Sequence, residues 1–107
     1  MRVYRVWLDD ERLCPYTDYD SFHSVNEVKS FITEKGGGWF YLNLDHDLGK
    51  YAKDGGDAIE LIKWLLNEGL NENPVYIFRF ELHTMNVVGR ENMQALIDRY
   101  FKKGVYF

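Results

Sequence analysis

The chain has 107 residues and a formal net charge of −4, and 46% of its residues are hydrophobic. This is enough apolar surface for one folded domain with a modest core, so we expect a single domain over residues 1–107. The acidic balance argues against broad binding of a nucleic-acid backbone, which needs a basic face. A small phosphorylated ligand held through a metal ion is compatible with this charge.

The cysteine count limits the possible sites and the compartment. Cys14 is the only cysteine, which excludes an internal disulfide and a tetrahedral cysteine zinc site. Nothing resembles a signal peptide, and no apolar run approaches the length of a membrane span. We therefore expect a reduced, cytoplasmic protein without a membrane segment. The sequence leaves the oligomeric state open.

The chain begins with a strand followed by a loop. Residues 3–8, VYRVWL, are β-branched and aromatic, which predicts a strand. Residues 12–20 contain Pro15 and scattered polar groups, so they are typical of a loop. Residues 20–24 suggest a short second strand.

A helix and a central strand come next. Ser24 and Glu27 stand at capping-box spacing, which predicts a helix N-terminus, and the three glycines at 36–38 end this helix. Its apolar stripe is formed by Val25, Val28, Phe31 and Ile32. Residues 39–44 then predict a strand that leads into Asp45.

The second half continues the alternation. Residues 49–56 are polar and rich in glycine, which predicts a loop, and residues 57–68 predict a helix. Residues 75–82 predict a strand and residues 90–103 a last helix. That helix has Met93, Leu96, Ile97, Tyr100 and Phe101 as its expected inward side chains and Gly104 as its stop. Residues 104–107 could add a short final strand.

This order of elements predicts the fold class. Strands that alternate with helices imply right-handed crossovers and a mainly parallel sheet with helices on both faces. Residues 39–42 are apolar on both faces, as in a central strand, whereas residues 75–82 become polar on one face, as near an edge. We predict an α/β three-layer sandwich with a sheet of four or five strands.

Polar side chains follow three of the predicted strands. They are Asp9 and Asp10 after the first strand, Asp45 and Asp47 after the central one, and His83, Thr84 and Asn86 after the later one. Ligands of open parallel sheets bind beyond these strand ends, and adjacent strands are about 4.8 Å apart, so the carboxylates can share one ion. One such aspartate is usually a cap or a solvated turn. The repetition favours a hard divalent cation, most simply Mg²⁺.

The segment around His83 has the chemistry of a phosphate site. Thr84, Asn86, Gly89 and Arg90 bring a hydroxyl, an amide, a predicted helix N-terminus and a guanidinium close together. Helix N-termini and arginine both favour phosphate. A histidine after an apolar strand is more often only hydrogen-bonded, but these neighbours favour a role for His83 at a phosphate.

The remaining histidines and the tryptophans have simpler interpretations. We expect the side chain of His46 to point away from the flanking aspartates in a structural role, and His23 to be a surface residue. We expect Trp7, Trp39 and Trp64 to lie in the core and not to form base-stacking platforms.

Three segments resemble the signatures of the cyclic-phosphate processing receiver domains, which are small relatives of the response-regulator receiver domain. The segments are WLDDERLCP at 7–15, LNLDHDLG at 42–49 and HTMNVVGRENM at 83–93. They occur in the expected order, with DGGDA at 54–58 opening a helix between them. The resemblance spans nearly the whole chain.

The resemblance implies a receiver-like (flavodoxin-like) sheet of order 2-1-3-4, with room for a fifth strand, in which the loop at 12–20 replaces the first crossover helix. It implies that Asp9 and Asp10 are the acidic pair that holds Mg²⁺. It also implies that Asp45 is the phospho-accepting aspartate of receivers. Asp47 falls where receivers contribute a backbone metal ligand.

Other residues match one branch of the family or the other. Thr84 matches the hydroxyl residue after the fourth strand of receivers, where the cyclic-phosphate branch commonly has Ser. His83, Asn86 and Arg12 match the cyclic-phosphate branch. Ordinary receivers also carry a lysine after the fifth strand, and the sequence has no lysine at such a position, which argues against phosphorelay signalling.

The leading hypothesis is therefore a metal-dependent phosphoesterase acting on a cyclic phosphate, most simply the 2′,3′-cyclic phosphate of a nucleotide or RNA end. Mg²⁺ on the aspartates would bind a phosphate oxygen, and His83 would act as general acid or base. Residues expected to position the phosphate are Arg12, Thr84, Asn86 and Arg90. Asp45 could instead be a nucleophile.

Three alternatives stay open. The domain could be a non-catalytic receiver switch phosphorylated on Asp45, or a module that only captures cyclic nucleotides or an RNA end. It could also be a phosphatase of the haloacid-dehalogenase type, since Asp45-x-Asp47 mimics that acidic motif. That motif normally follows the first strand and precedes a hydroxyl residue, unlike here. The base of the substrate and the direction of ring opening are not indicated.

Overall fold

The structure is a computed structural model and describes residues 2–101. The strands are β1 (Val3–Leu8), β2 (Asp20–Phe22), β3 (Gly38–Leu44) and β4 (Tyr76–Leu82), and the α-helices are α1 (Val25–Lys35), α2 (Ala58–Asn67) and α3 (Val87–Tyr100). All strand pairs are parallel, in the order β2-β1-β3-β4. The predicted receiver-like α/β fold and strand order are confirmed. Among these residues, no helix has the length and apolar character needed to cross a membrane.

One face of the sheet carries the hydrophobic core, and we call it the helix face. Val6 of β1 pairs with Leu42 of β3, and Phe40 pairs with Phe78 of β4, so these side chains share one face. They belong to one buried cluster that also contains the buried apolar residues of α1, α2 and α3. All three helices therefore pack on the helix face.

We call the opposite side of the sheet the open face. Its side chains are Val3, Arg5 and Trp7 of β1, Trp39, Tyr41 and Asn43 of β3, and Ile77, Arg79 and Glu81 of β4. Within residues 2–101 no helix packs against it, and Tyr16 of the β1–β2 connection covers part of it, with its ring 6.3 Å from that of Trp7. The prediction of helices on both faces, as a three-layer sandwich, is wrong for this part of the chain.

The direction of the crossovers explains this difference. The crossovers from β2 to β3 and from β3 to β4 move across the sheet in one direction, whereas that from β1 to β2 moves in the other. Because parallel crossovers are right-handed, the β1–β2 connection lies on the opposite face from α1 and α2. It is the predicted loop, so within the described part of the chain the open face receives a loop and no helix.

Helix α1 begins and ends as predicted. The hydroxyl of Ser24 accepts a hydrogen bond from the N–H of Glu27, and the Glu27 carboxylate accepts one from the N–H of Ser24. This reciprocal capping box satisfies two donors that the helix leaves free. At the other end Gly36 adopts a left-handed backbone with φ 71° and donates its N–H to Ile32.

Two segments differ from the prediction in the connections. Residues Gly49–Lys53, predicted as loop, form a short 3₁₀ helix that follows the fully buried Leu48. Helix α3 begins at Val87, three residues earlier than predicted, because Asn86 caps it by accepting a hydrogen bond from the N–H of Gly89.

The end of α3 also differs from the prediction. Tyr100 was expected to point inward but is 43% exposed, whereas Phe101 is buried. Phe101 leaves the helix with extended backbone angles, and its ring lies 4.9 Å from that of Phe80. Phe101 therefore takes the core position at this end. The predicted final strand at 104–107, with Gly104, lies outside the described residues.

Candidate functional site

Three aspartates meet at the carboxyl end of the sheet. Asp9, Asp10 and Asp45 each offer a carboxylate oxygen, and these atoms all lie within 4.8 Å of one another. The N–H of Asp45 donates to the carbonyl of Leu8 over 2.9 Å, so the pairing of β1 and β3 continues into the cluster. We call these aspartates the rim cluster. The structure brings together three of the four aspartates that the sequence predicted to share a metal; the exception is Asp47.

Asp9 is the most buried member of the rim cluster, at 3% exposure. Its Oδ1 accepts hydrogen bonds of 2.8 Å from the N–H groups of Glu11 and Arg12, and its Oδ2 lies 2.9 Å from Nε2 of His83. Burial acts to raise the pKa of Asp9, but these hydrogen bonds outweigh it and the pKa is lowered. Asp9 is thus held as a carboxylate.

The pKa of Asp45 is shifted in the opposite direction, upward. Burial raises the pKa of its carboxyl, and the nearby charge of Asp9 adds to the rise. Hydrogen bonds from the Thr84 hydroxyl and from the N–H of His46, the latter 2.8 Å long, offset this only in part. The rim cluster therefore concentrates negative charge that a cation would relieve.

Gly49 makes room for the third carboxylate. Its backbone is left-handed, with φ 55°, and a Cβ built on it would lie 2.6 Å from Oδ2 of Asp10. Any other residue would displace this carboxylate. The cluster offers only carboxylate oxygens, the donors that Mg²⁺ prefers, so the residues present fit this ion.

His83 is fixed on three sides beside the rim cluster. Its Nε2 faces Asp9, its Nδ1 lies 2.5 Å from Oδ1 of Asn43, and its ring stacks on Trp7. The ring centroids of His83 and Trp7 are 4.0 Å apart, with planes 7° apart. Its side chain is only 14% exposed.

The contacts of Asn43 identify the proton on one nitrogen of His83. The Nδ2 of Asn43 donates to the carboxylate of Glu81 over 3.1 Å, so the oxygen of this amide faces His83. Nδ1 of His83 must then be the donor. Nε2 of His83 lies 2.9 Å from Oδ2 of Asp9, so a proton on this nitrogen would form a charge-assisted hydrogen bond with the carboxylate.

Two residues of this arrangement were missed by the sequence analysis. Asn43 is a polar residue at 3% exposure inside an otherwise apolar strand, and that position was an available signal. Trp7 was expected to be a core residue, yet it is buried on the open face against His83. Trp64 is partly buried against the core, and Trp39 lies on the open face.

Thr84 and Asn86 link the rim to α3. Thr84 is buried; its Oγ1 hydrogen-bonds Asp45 and accepts the N–H of Asn86 at 3.1 Å. The Asn86 oxygen caps α3, while its Nδ2 lies 3.2 Å and 3.1 Å from the two oxygens of Asp47. Both ends of the Asn86 amide are therefore engaged within the protein.

The side chain of Asp47 lies apart from the rim cluster. Its carboxylate groups with His46 and Asp57, and its Oδ1 is 2.8 Å from Nδ1 of His46. The hydrogen bond with His46 lowers the pKa of Asp47. The expectation that the His46 ring points away from both aspartates is wrong for Asp47. The Asp47 side chain is therefore not placed to share a metal with the rim cluster. The family resemblance implied a metal ligand from the Asp47 backbone, which this position of the side chain does not affect.

The two predicted phosphate-binding arginines lie at different places. Arg12 is exposed, and its Nη1 donates to the backbone carbonyl of His83 over 3.3 Å, which holds it at the rim. Arg90 is exposed in the first turn of α3. His23, as predicted, is exposed; its ring stacks on that of Tyr51.

Comparison with known proteins adds one finding. Residues 4–99 match the family model of the cyclic-phosphate processing Receiver domain. The matched range contains the rim cluster, His83 and all the strands except the first residue of β1. No curated protein and no solved structure matched the chain.

Proposed function

Because the chain belongs to the cyclic-phosphate processing receiver family, we propose that it is a metal-dependent phosphoesterase that opens a cyclic phosphate. The most direct substrate is the 2′,3′-cyclic phosphate of a nucleotide or an RNA end. One observation carries this proposal: Nε2 of His83 lies 2.9 Å from Oδ2 of Asp9. A proton-transfer group thus adjoins three carboxylates suited to a divalent cation.

The rim cluster would hold the metal. Asp9, Asp10 and Asp45 would supply carboxylate oxygens, and the backbone of Asp47 would complete the set as in receivers. When bound, Mg²⁺ neutralises this charge and polarises an oxygen of the phosphate. The raised pKa of Asp45, caused first by burial and then by Asp9, supports the need for a cation here.

The proposed chemistry would use a proton on Nε2 of His83. Hydrolysis joins a water oxygen to phosphorus and breaks the bond from phosphorus to the 2′ or 3′ oxygen. His83 would give the proton on Nε2 to the leaving oxygen, as a general acid. The proton lost by the attacking water would restore His83. The product is a phosphate monoester with a free hydroxyl.

The other predicted residues would support the phosphate in different ways. Arg12, exposed at the rim, has a guanidinium suited to a phosphate oxygen. Thr84 and Asn86 hold Asp45 and Asp47 through hydrogen bonds, so their effect would be on position. Arg90 would contribute positive charge from the first turn of α3.

A receiver switch is the second candidate, and one contact favours it. The hydroxyl of Thr84 hydrogen-bonds Asp45, the pair that receivers use around the phosphorylated aspartate. In this case Asp45 would accept a phosphoryl group from a small donor. His83 would then have no proton-transfer role, and Asn43 would only hold its ring in place.

A single set of incubations tests these candidates. The protein is mixed with Mg²⁺ and 2′,3′-cyclic nucleotides, and monoester formation is followed by ³¹P NMR. We expect turnover, and His83→Ala should lower it on the order of 100-fold or more. His23→Ala, which removes an exposed imidazole that stacks on Tyr51 and not on a rim aspartate, is the matched control and should retain activity.

The same design identifies the alternatives. A stable phosphoryl adduct after incubation with acetyl phosphate, abolished by Asp45→Asn, would establish the switch. Binding of cyclic nucleotides without turnover would establish a capture module. Turnover that is unaffected by His83→Ala would contradict the proposed role of His83.

A further inference from the structure

A cleft on the open face lies next to His83. It has a volume of about 360 Å³, and Tyr19, Tyr41, Asn43, Arg79 and Glu81 are among the residues that line it. The loop between β1 and β2 contributes Tyr19, and β3 and β4 contribute the rest. None of the roles described above uses this cleft as a whole.

Asn43 connects the cleft to His83, the neighbour of the rim cluster. This residue lines the cleft and also accepts the hydrogen bond from Nδ1 of His83. Asn43 and Asp45 are two residues apart, so roughly 6.6 Å of strand separates the cleft from the rim. That separation is on the scale of the distance between the 2′,3′-phosphate and the base within one nucleotide.

The walls of the cleft combine flat cationic groups with hydrogen-bonding groups. The guanidinium of Arg79 lies 5.7 Å from the ring centre of Tyr41, and that of Arg5 lies 5.5 Å from it. Guanidinium and aromatic planes are the surfaces on which bases stack. Glu81 adds a carboxylate acceptor and Tyr19 a hydroxyl, which hydrogen-bonds Asn43. Acceptors of this kind suit the N–H edge of a base.

We propose that this cleft is a base subsite, which receives the nucleobase of the nucleotide whose cyclic phosphate lies at the rim. The inference rests on the proposed function, because the phosphate must be at the rim cluster for the base to reach the cleft. A free nucleotide and the last nucleotide of an RNA present the same chemistry here. The base would lie beside Asn43, so the subsite and His83 would share one contact.

Amide chemical shifts measured in the presence of Mg²⁺ test the subsite. The probes are ribose 2′,3′-cyclic phosphate, which has no base, and the four common nucleoside 2′,3′-cyclic phosphates. We expect both kinds of probe to shift the amides of Asp10 and Asp45. Only the nucleosides should also shift those of Tyr41, Asn43 and Glu81. At least one nucleoside should bind about 10-fold more tightly than the base-free probe, the effect expected from stacking one base.

Variants of Tyr41 connect the affinity to the cleft. Tyr41→Ala should abolish most of the preference for the nucleoside over the base-free probe, whereas Tyr41→Phe, which keeps the ring, should retain it. Tyr100→Ala removes a tyrosine that is 43% exposed at the end of α3, outside the cleft, and serves as the control. Circular dichroism establishes that each variant is folded. If Tyr41→Ala does not fold, the Arg79→Ala variant replaces it.

The possible failures are distinguishable. If the base-free and nucleoside probes shift the rim amides alone and bind equally, the subsite is wrong while the proposed function stands. If neither probe shifts the rim amides, the proposed function is wrong and the subsite falls with it.

A trinucleotide ending in the preferred cyclic phosphate then identifies the source. Tighter binding than the mononucleotide assigns the subsite to an RNA end, and equal binding assigns it to a free nucleotide.

Discussion

The imidazole of His83 lies flat against the indole of Trp7, with ring centroids 4.0 Å apart. The indole is itself fixed, since its Nε1 donates to the backbone carbonyl of Arg12 over 3.0 Å. Arg12 in turn reaches the backbone carbonyl of His83. The orientation of the proposed general acid is therefore set by the residues that precede and follow the Asp9 turn.

Replacing Trp7 is expected to misplace His83. Trp7→Leu should lower kcat/KM for a 2′,3′-cyclic nucleotide about 10- to 100-fold, because small displacements of a reacting group are costly. Trp7→Phe keeps a stacking ring and should retain most of the activity. Thermal unfolding of both variants separates this effect from lost packing. Equal activity of folded Trp7→Leu and wild-type protein would contradict the positioning role.

Mg²⁺ is expected to stabilise the folded protein. A ligand that binds only the native state raises the melting temperature with its concentration, and the rim cluster exists only in the fold. Asp9→Asn and Asp45→Asn should each remove most of this shift, as measured by calorimetry with and without Mg²⁺. Asp18→Asn, an exposed aspartate paired with Arg5, is the control. An unchanged response in both rim variants would exclude the cluster as the metal site.

Without metal, Asp9→Asn and Asp45→Asn should change the free energy of unfolding in opposite directions. The pKa of Asp45 is raised in the fold, chiefly by burial, so its ionisation opposes folding above that pKa, and Asp45→Asn should stabilise at neutral pH. The pKa of Asp9 is lowered in the fold despite burial, so the Asp9 carboxylate stabilises the folded protein at any pH above its pKa in the unfolded chain. This stabilisation is lost as pH falls through the pKa of Asp9 in the folded protein. Asp9→Asn should therefore destabilise, by about 1–3 kcal/mol.

Urea unfolding in EDTA measures this difference. The difference in the free energy of unfolding between Asp9→Asn and wild type should be largest at neutral pH. It should decrease as pH falls below the ordinary pKa range of aspartate. Stabilisation by both substitutions would mean that repulsion within the cluster outweighs the hydrogen bonds to Asp9.

A methyl group at Gly49 is expected to weaken metal binding. Gly49→Ala would place a Cβ 2.6 Å from Oδ2 of Asp10, so this carboxylate must move. Gly69→Ala is a matched control, because Gly69 has a similar φ of 68° and nothing within 4 Å of its added Cβ. Both should lose about 1–2 kcal/mol of stability from left-handed strain. Only Gly49→Ala should weaken Mg²⁺ binding, on the order of 10-fold; equal affinities would contradict this.

Gly89 and His46 are expected to be energetically coupled. A Cβ on Gly89, inside α3, would lie 2.6 Å from Cγ of His46. In the His46→Ala background, Gly89→Ala should stabilise by about 1 kcal/mol, the usual helix preference for alanine. In the wild-type background the same substitution should destabilise. A double-mutant cycle from chemical denaturation measures the coupling, and additive effects would show that the ring moves aside freely.

The sequence was sufficient for the features that depend on local pattern. The capping box at Ser24 and Glu27, the apolar central strand and the polar strand ends are all visible in short segments. Their meeting at one edge then follows from the rule for parallel sheets, which brought Asp9 and Asp45 together.

Contacts between strands could not be predicted in the same way. Asn43 and Glu81 are adjacent only because β3 and β4 pair in one particular register. That register depends on the whole sheet, so the hydrogen bond that orients Asn43 has no local signal. The stacking of Trp7 on His83 likewise depends on a crossover whose loop lies on the open face.

Because the helices pack on a single face, each strand has core positions that alternate with positions facing the proposed site. Alternate residues of β1, β3 and β4 point to the core or to the side where Trp7, Asn43 and the proposed subsite lie. In a deep mutational scan, substitutions at one set of alternating positions should reduce protein abundance, and those at the other set should reduce turnover more than abundance. Substitutions at positions two residues apart on a strand would thus give the same phenotype. Substitutions at directly neighbouring positions would give different phenotypes.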